Sequence, residues 1–168
     1  MNITKAKIYL FTDGSVNPQS GIGFGGYLLL DKLEYFSELE KEIKLKKFNN
    51  TSSTKLELET LLWALTEISS KNHKIVIYTD CQNIIGLQGR RDRFERNNYM
   101  TGKGKQIKNH ELYKDFYKLT DILDCEFIKL KGHKKKSTKD EIDKIFTLVD
   151  KATRNALRNS ESAIILKS

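Results

Sequence analysis

The chain has 168 residues, 38% hydrophobic and 31% charged, with a net charge of +8. This balance suits one globular domain spanning residues 1–168 and excludes intrinsic disorder. No apolar run approaches the roughly 20 residues of a membrane helix, Met1 to Lys5 lacks the shape of a signal peptide, and Cys81 and Cys125 are too few for a disulfide framework or a zinc site. The expected setting is a reducing cytoplasm, with the protein a monomer and no membrane partner.

In chain order, Ile8-Tyr9-Leu10-Phe11-Thr12 predicts a strand that ends in Asp13. A Gly/Ser/Asn-rich turn holding the one proline, Pro18, follows it. Tyr27 to Leu30 predicts a second strand. Tyr35 to Leu45 nearly alternates and predicts a third, antiparallel to the second across a turn at Asp31-Lys32. Ser52, Ser53 or Thr54 can cap a helix running to about Ser70. Ile75-Val76-Ile77-Tyr78-Thr79 then predicts another strand, ending in Asp80. A short helix over 81–88 precedes a basic, irregular or weakly helical stretch over 89–108. Asn109 to Leu123 has a helical pattern, Cys125 to Leu130 predicts the last strand, and Asp140 to Asn159 a long final helix. The order predicts an α/β fold, a mixed five-stranded sheet covered by helices.

Two strands thus end alike, in Thr-Asp. In open α/β sheets, ligands and catalytic groups collect at the C-terminal strand ends. If the two strands are parallel neighbours, Asp13 and Asp80 face each other and repel unless a proton or a cation lies between them. In the helix after Thr54, Glu57 lies on the edge of the apolar stripe, with Leu61 and Ala64 at i+4 and i+7. An acid turned toward a core needs neutralising, so Glu57 is a candidate third oxygen ligand, although a glutamate at a helix start is also favoured by the dipole. Such an oxygen cluster suits a hard divalent cation and phosphate chemistry. Basic residues gather at Arg90, Arg91, Arg93, Arg96, Lys103, Lys105 and Lys108, and again over 129–139. Two such segments beside an acidic pocket point to nucleic acid.

Phe11-Thr12-Asp13-Gly14-Ser15, Gly25-Gly26-Tyr27, Lys55-Leu56-Glu57-Leu58, Tyr78-Thr79-Asp80-Cys81-Gln82 and Lys131-Gly132-His133 occur in an order that resembles type 1 ribonuclease H. The resemblance implies a ribonuclease H-like fold and an endonuclease that cuts the RNA strand of RNA–DNA hybrids. It also implies two Mg²⁺ ions, with Mn²⁺ as a substitute, and products with 5′-phosphate and 3′-hydroxyl ends. By the same resemblance Asp13, Glu57 and Asp80 hold metal, and His133 assists turnover and product release. The fourth carboxylate is Asp150 or Asp143, seven residues apart on one helix face. The gap from His133 favours Asp143; Val149 before Asp150, and Ala152, Thr153 and Arg154 after it, favour Asp150, the preferred assignment. That choice leaves a long loop holding Lys134, Lys135 and Lys136.

The hybrid would be read through ribose 2′-hydroxyls in a wide minor groove, with Gly14, Ser15, Asn17, Ser53, Thr54 and Gln82 as candidates. Asn109 with Ser52 resembles the family's pocket for a DNA-strand phosphate. Turn formation and helix capping are the competing explanation for these residues. Ser53-Thr54 stand where the family commonly has two asparagines. The basic stretch at about 89–108 occupies the place of the family's substrate-binding protrusion and lacks its tryptophans, leaving Phe94 and Tyr99 as the aromatics there. The alternatives are a DNA nuclease or integrase-like enzyme on the same superfold, or a non-catalytic nucleic-acid-binding module. Against the last stand three carboxylates with no other evident purpose.

Overall fold

The computed structural model describes residues 3–68, 70–131 and 140–167. Five strands, β1 (Ala6–Asn17), β2 (Ile22–Leu30), β3 (Lys44–Phe48), β4 (His73–Thr79) and β5 (Asp124–Lys129), form one sheet in the order β3-β2-β1-β4-β5. β1 is antiparallel to β2 and β2 to β3, whereas β4 runs parallel to β1 and β5 parallel to β4. The helices are α1 (Ser53–Ile68), α2 (Gln82–Ile85), α3 (Leu87–Arg96), α4 (His110–Ile122) and α5 (Glu141–Lys167). None of the described helices is long and apolar enough to cross a membrane.

The central strands are buried on both faces, as parallel neighbours require. On one face Leu10, Ile75 and Ile77 pack with Leu58, Leu61 and Leu65 of α1 and with Phe116 of α4. On the other, Phe11, Leu28, Val76 and Tyr78 pack with Ile145 and Val149 of α5. The rings of Phe11 and Tyr78 stack there at 4.7 Å. Burying a side chain of this size is worth about 1.5–3 kcal/mol, so the β1–β4 pair anchors both cores.

Two glycines let the helices close on the sheet. A Cβ at Gly25 would lie 2.0 Å from Thr60 Oγ1 of α1, and one at Gly26 would lie 2.8 Å from Thr153 Cγ2 of α5. Successive strand residues point to opposite faces, so the Gly25-Gly26 pair admits one helix on each side.

Four boundaries depart from the sequence-based expectation, the simplest being that α5 runs on to Lys167 rather than ending at Asn159. β1 does not end at Asp13 but continues to Asn17, pairing with β2 after its pairing with β4 has stopped at Phe11↔Tyr78. β2 begins at Ile22, because glycines that weaken a strand pattern here serve helix packing. The strand expected over Tyr35 to Leu45 is not formed. That stretch is a long connection with a 3-10 turn, Leu39–Glu42, whose Leu39 is fully buried beside α5's core residues. The alternation came from Leu39 and Ile43 plugging the core, not from a pleat. The third strand is the lysine-rich Lys44–Phe48, an exposed edge whose charges hide its pattern and discourage pairing with another chain. The basic stretch is also more regular than expected, with α3 reaching Arg96 before an irregular segment bridged at Met100↔Gln106.

Candidate active site

Carrying the parallel register two residues beyond Phe11↔Tyr78 sets Asp13 opposite Asp80. Strand alternation turns both toward the face covered by α5. Glu57 comes from the other face, from the first turns of α1. Gly14 clears its way: a Cβ there would stand 3.7 Å from Glu57 Oε1 and 2.9 Å from Leu56. Asp13, Glu57 and Asp80 each offer an oxygen, and those atoms lie within 4.8 Å of one another.

The three acids open into a cavity of about 340 Å³, lined also by Gly14, Ser15, Ser53, Cys81, Asp150 and Arg154. Asp13 is 5% exposed and Glu57 9%. Burial, then the charges of Glu57, Asp80 and Asp150, pushes the Asp13 carboxyl well above the usual range. Burial, then the charge of Asp80, does the same to Glu57. Glu57 Oε2 is buried with no hydrogen-bond partner. A buried carboxylate oxygen left unpaired among like charges fits a cation better than it fits the bare protein. The all-oxygen donor set suits Mg²⁺ or Mn²⁺.

Asp150 lines the cavity, and its charge adds to the rise at Asp13. Its Oδ1 also accepts from Arg154 Nε at 2.9 Å. Asp143 is used elsewhere. Its N–H donates to Asp140 Oδ1 at 2.8 Å, and its Oδ2 accepts from Asp140 N–H at 3.3 Å, a reciprocal cap at the start of α5.

Gly14, Ser15 and Ser53 line the carboxylate cavity; the other candidate substrate-binding residues do not. Ser52 caps α1, its Oγ accepting from the Lys55 N–H at 3.4 Å, and Thr54 is exposed in the first turn. Gln82 Oε1 accepts from Lys129 Nζ at the end of β5. Asn17 sits at the far end of β1, its amide donating to Glu161 at 2.7 Å and its carbonyl shaping the turn to β2. Asn109 precedes α4 in the left-handed region, at φ 64°. His133 and Lys134 to Lys136 lie outside the described residues. Cys81 and Arg154 were not read as site residues. Their only sequence signal is position: Cys81 follows Asp80, and Arg154 is one helical turn past Asp150.

The basic residues of the 89–108 stretch divide into arginines held by the protein and lysines that are not. Arg90 is spent on the protein, donating to Asn83 and to the Gly86 carbonyl. Arg91 forks onto Asp121 at 2.6 and 2.7 Å. Lys103, Lys105 and Lys108 are exposed, with no acidic partner among the described residues.

The family profile described as RNase H matches residues 5–157. The Ribonuclease H of Clostridium botulinum (strain Hall) is 28% identical over 144 residues, covering 83% of this chain and 92% of its own. That of Acetivibrio thermocellus is 25% identical over 143 residues, covering 84% and 92%. Among solved structures, LC9-RNase H1, a type 1 RNase H with the type 2 active-site motif, superposes with a TM-score of 0.60 at 18% identity, covering 79% of this chain and 66% of that one. A foamy viral protease-reverse transcriptase in complex with dsDNA superposes with a TM-score of 0.58 at 13% identity, covering 85% and 92%. With its sheet order, its carboxylate cavity and a family match over most of its length, this chain belongs to the ribonuclease H family, nucleases that hydrolyse RNA.

Proposed function

We propose that this chain is an endoribonuclease that cuts the RNA strand of RNA–DNA hybrids, leaving 5′-phosphate and 3′-hydroxyl ends. It would use two Mg²⁺ ions, with Mn²⁺ as a substitute, held by Asp13, Glu57, Asp80 and Asp150. The observation that carries this reading is the meeting of Asp13, Glu57 and Asp80 within 4.8 Å, on three elements of a ribonuclease H fold. The orphaned Glu57 oxygen supports it. Bound there, divalent ions activate water and stabilise charge on the leaving oxygen.

The protein's part is to hold the acids in place and to admit one kind of backbone. Gly14 and Ser15 on β1 and Ser53 on α1 stand beside the carboxylates, where a ribose 2′-hydroxyl next to the scissile phosphate would lie. The Asn17, Gln82 and Ser15 side chains are engaged within the protein, Ser15 Oγ with Thr153 Oγ1 at 3.1 Å, so this reading rests on the backbone at Gly14 and Ser15 and on the Ser53 and Thr54 hydroxyls. Lys103, Lys105 and Lys108 supply phosphate contacts farther along the duplex. His133 is assigned to turnover on the family resemblance alone. The enzyme is taken to act as a monomer in a reducing cytoplasm.

The test is cleavage of an end-labelled RNA–DNA hybrid in Mg²⁺, beside RNA duplex, DNA duplex and each single strand. Cutting confined to the hybrid's RNA strand is expected. Equal cutting of DNA, or no cutting in either Mg²⁺ or Mn²⁺, overturns the reading.

A further inference from the structure

Arg154 is the one cation among the described residues that line the carboxylate cavity. It stands against four carboxylates, Asp13, Glu57, Asp80 and Asp150. The guanidinium is not spread over the cluster. It is bound to one member, Asp150, through Nε at 2.9 Å. Asp150 is the least enclosed of the Asp13, Glu57 and Asp150 carboxylates, its side chain 28% exposed, and Arg154 is 51% exposed. Both sit on one face of α5, a turn apart, so no backbone change is needed to make or break the pair.

We propose that Arg154 is a built-in competitor for the divalent cation at Asp150. It holds that carboxylate in the cation-free protein and must release it before Asp150 joins Asp13, Glu57 and Asp80 around an ion. The proposal rests on the metal-site reading above. Its physical basis is that Arg154 Nε holds Asp150 Oδ1 at 2.9 Å: an ion that takes this oxygen displaces a charge-assisted N–H···O bond from it. Its consequence is that Arg154 raises the cation concentration at which the site fills. An ion pair this exposed is worth little, about 0.2–1 kcal/mol, which sets the size of the effect at up to about fivefold in affinity.

Two measurements on the full chain test it. In calorimetric titration with Mn²⁺, Arg154→Gln should bind about two- to fivefold more tightly than the parent. In a ¹⁵N-edited spectrum of the arginine side chains, the Arg154 Nε–H resonance should move as Mg²⁺ is added and saturate with the cation's own dissociation constant. An affinity in Arg154→Gln that is unchanged or weaker overturns the proposal. So does a tighter affinity with an Nε–H resonance that ignores Mg²⁺, because that would be a general loss of positive charge. A parent chain that takes up no Mn²⁺ overturns the metal-site reading as well, whereas uptake without the Arg154 effect overturns this proposal alone.

Discussion

Asp13 and Glu57 are acids placed where acids are costly, and that placement has a sign. With their native values raised by burial and by one another's charge, the folded protein binds more protons than the unfolded chain once the pH passes the ordinary carboxylate value of about 4. Stability therefore falls as pH rises through the raised native values. In EDTA, urea midpoints should drop from pH 5 to pH 8. Asp13→Asn should flatten that slope, and saturating Mg²⁺ should raise the midpoints most at the upper end. A flat profile in EDTA would contradict the electrostatics described here. The two helix aspartates should separate cleanly. Asp150→Asn should lower hybrid cleavage in Mg²⁺ by more than about 100-fold, while Asp143→Asn keeps most of it. Asp143→Ala should cost about 1 kcal/mol of stability by removing half of the reciprocal cap. Cleavage assays and denaturation on the same variants check both, and loss of cleavage in Asp143→Asn would reverse the assignment. The acids at 13 and 80 were legible because each ends an apolar run, and Glu57 because it lies on the edge of a helical apolar stripe. Arg90 and Arg91 were not: a run of arginines looks like a phosphate-binding surface whether or not Asn83, seven residues before Arg90, and Asp121, 30 residues after Arg91, already occupy it.

Among the elements, β1 and β2 carry the greatest constraint, since both helix layers touch them at glycines. Gly25→Ala would drive a methyl to 2.0 Å from Thr60 Oγ1. It should destabilise the protein by about 2 kcal/mol, lowering Tm by roughly 4–8 °C. Adding Thr60→Ala should restore part of the loss. Calorimetric melting of the single and double variants measures this, and a neutral Gly25→Ala would mean that α1 can move off the sheet. The same glycines explain why β2 was only partly legible. Its first residues, Ile22-Gly23-Phe24-Gly25-Gly26, carry few of the side chains by which a strand is recognised. β3 was misplaced for the opposite reason: Leu39 and Ile43 gave a strand-like rhythm to a connection, whereas the true edge strand shows mostly exposed lysines. Helices α1, α4 and α5 were legible because each pairs a long apolar stripe with a polar face, a pattern that survives without knowledge of the neighbours.

On the scale of the molecule, the net charge of +8 includes Lys103, Lys105 and Lys108, which stand exposed with no acidic partner among the described residues. Hybrid affinity, measured in Ca²⁺ to prevent turnover, should fall steeply with salt. Replacing Lys103, Lys105 and Lys108 with Gln should reduce the slope of log K against log[salt] by about one for each phosphate no longer neutralised. An unchanged slope would remove this segment from the interface. Composition announced the charge, and only the fold separates the lysines that remain exposed from the arginines that brace α3. Finally, the pairing of β1 with β4 joins residues 67 positions apart, and the two strands bring Asp13 and Asp80 together only when aligned. The carboxylate cluster should therefore assemble late, after the slowest kind of strand closure. An ion bound there stabilises a state the folding transition has yet to reach. It should act as a lock rather than a guide, slowing unfolding while leaving the refolding rate nearly untouched.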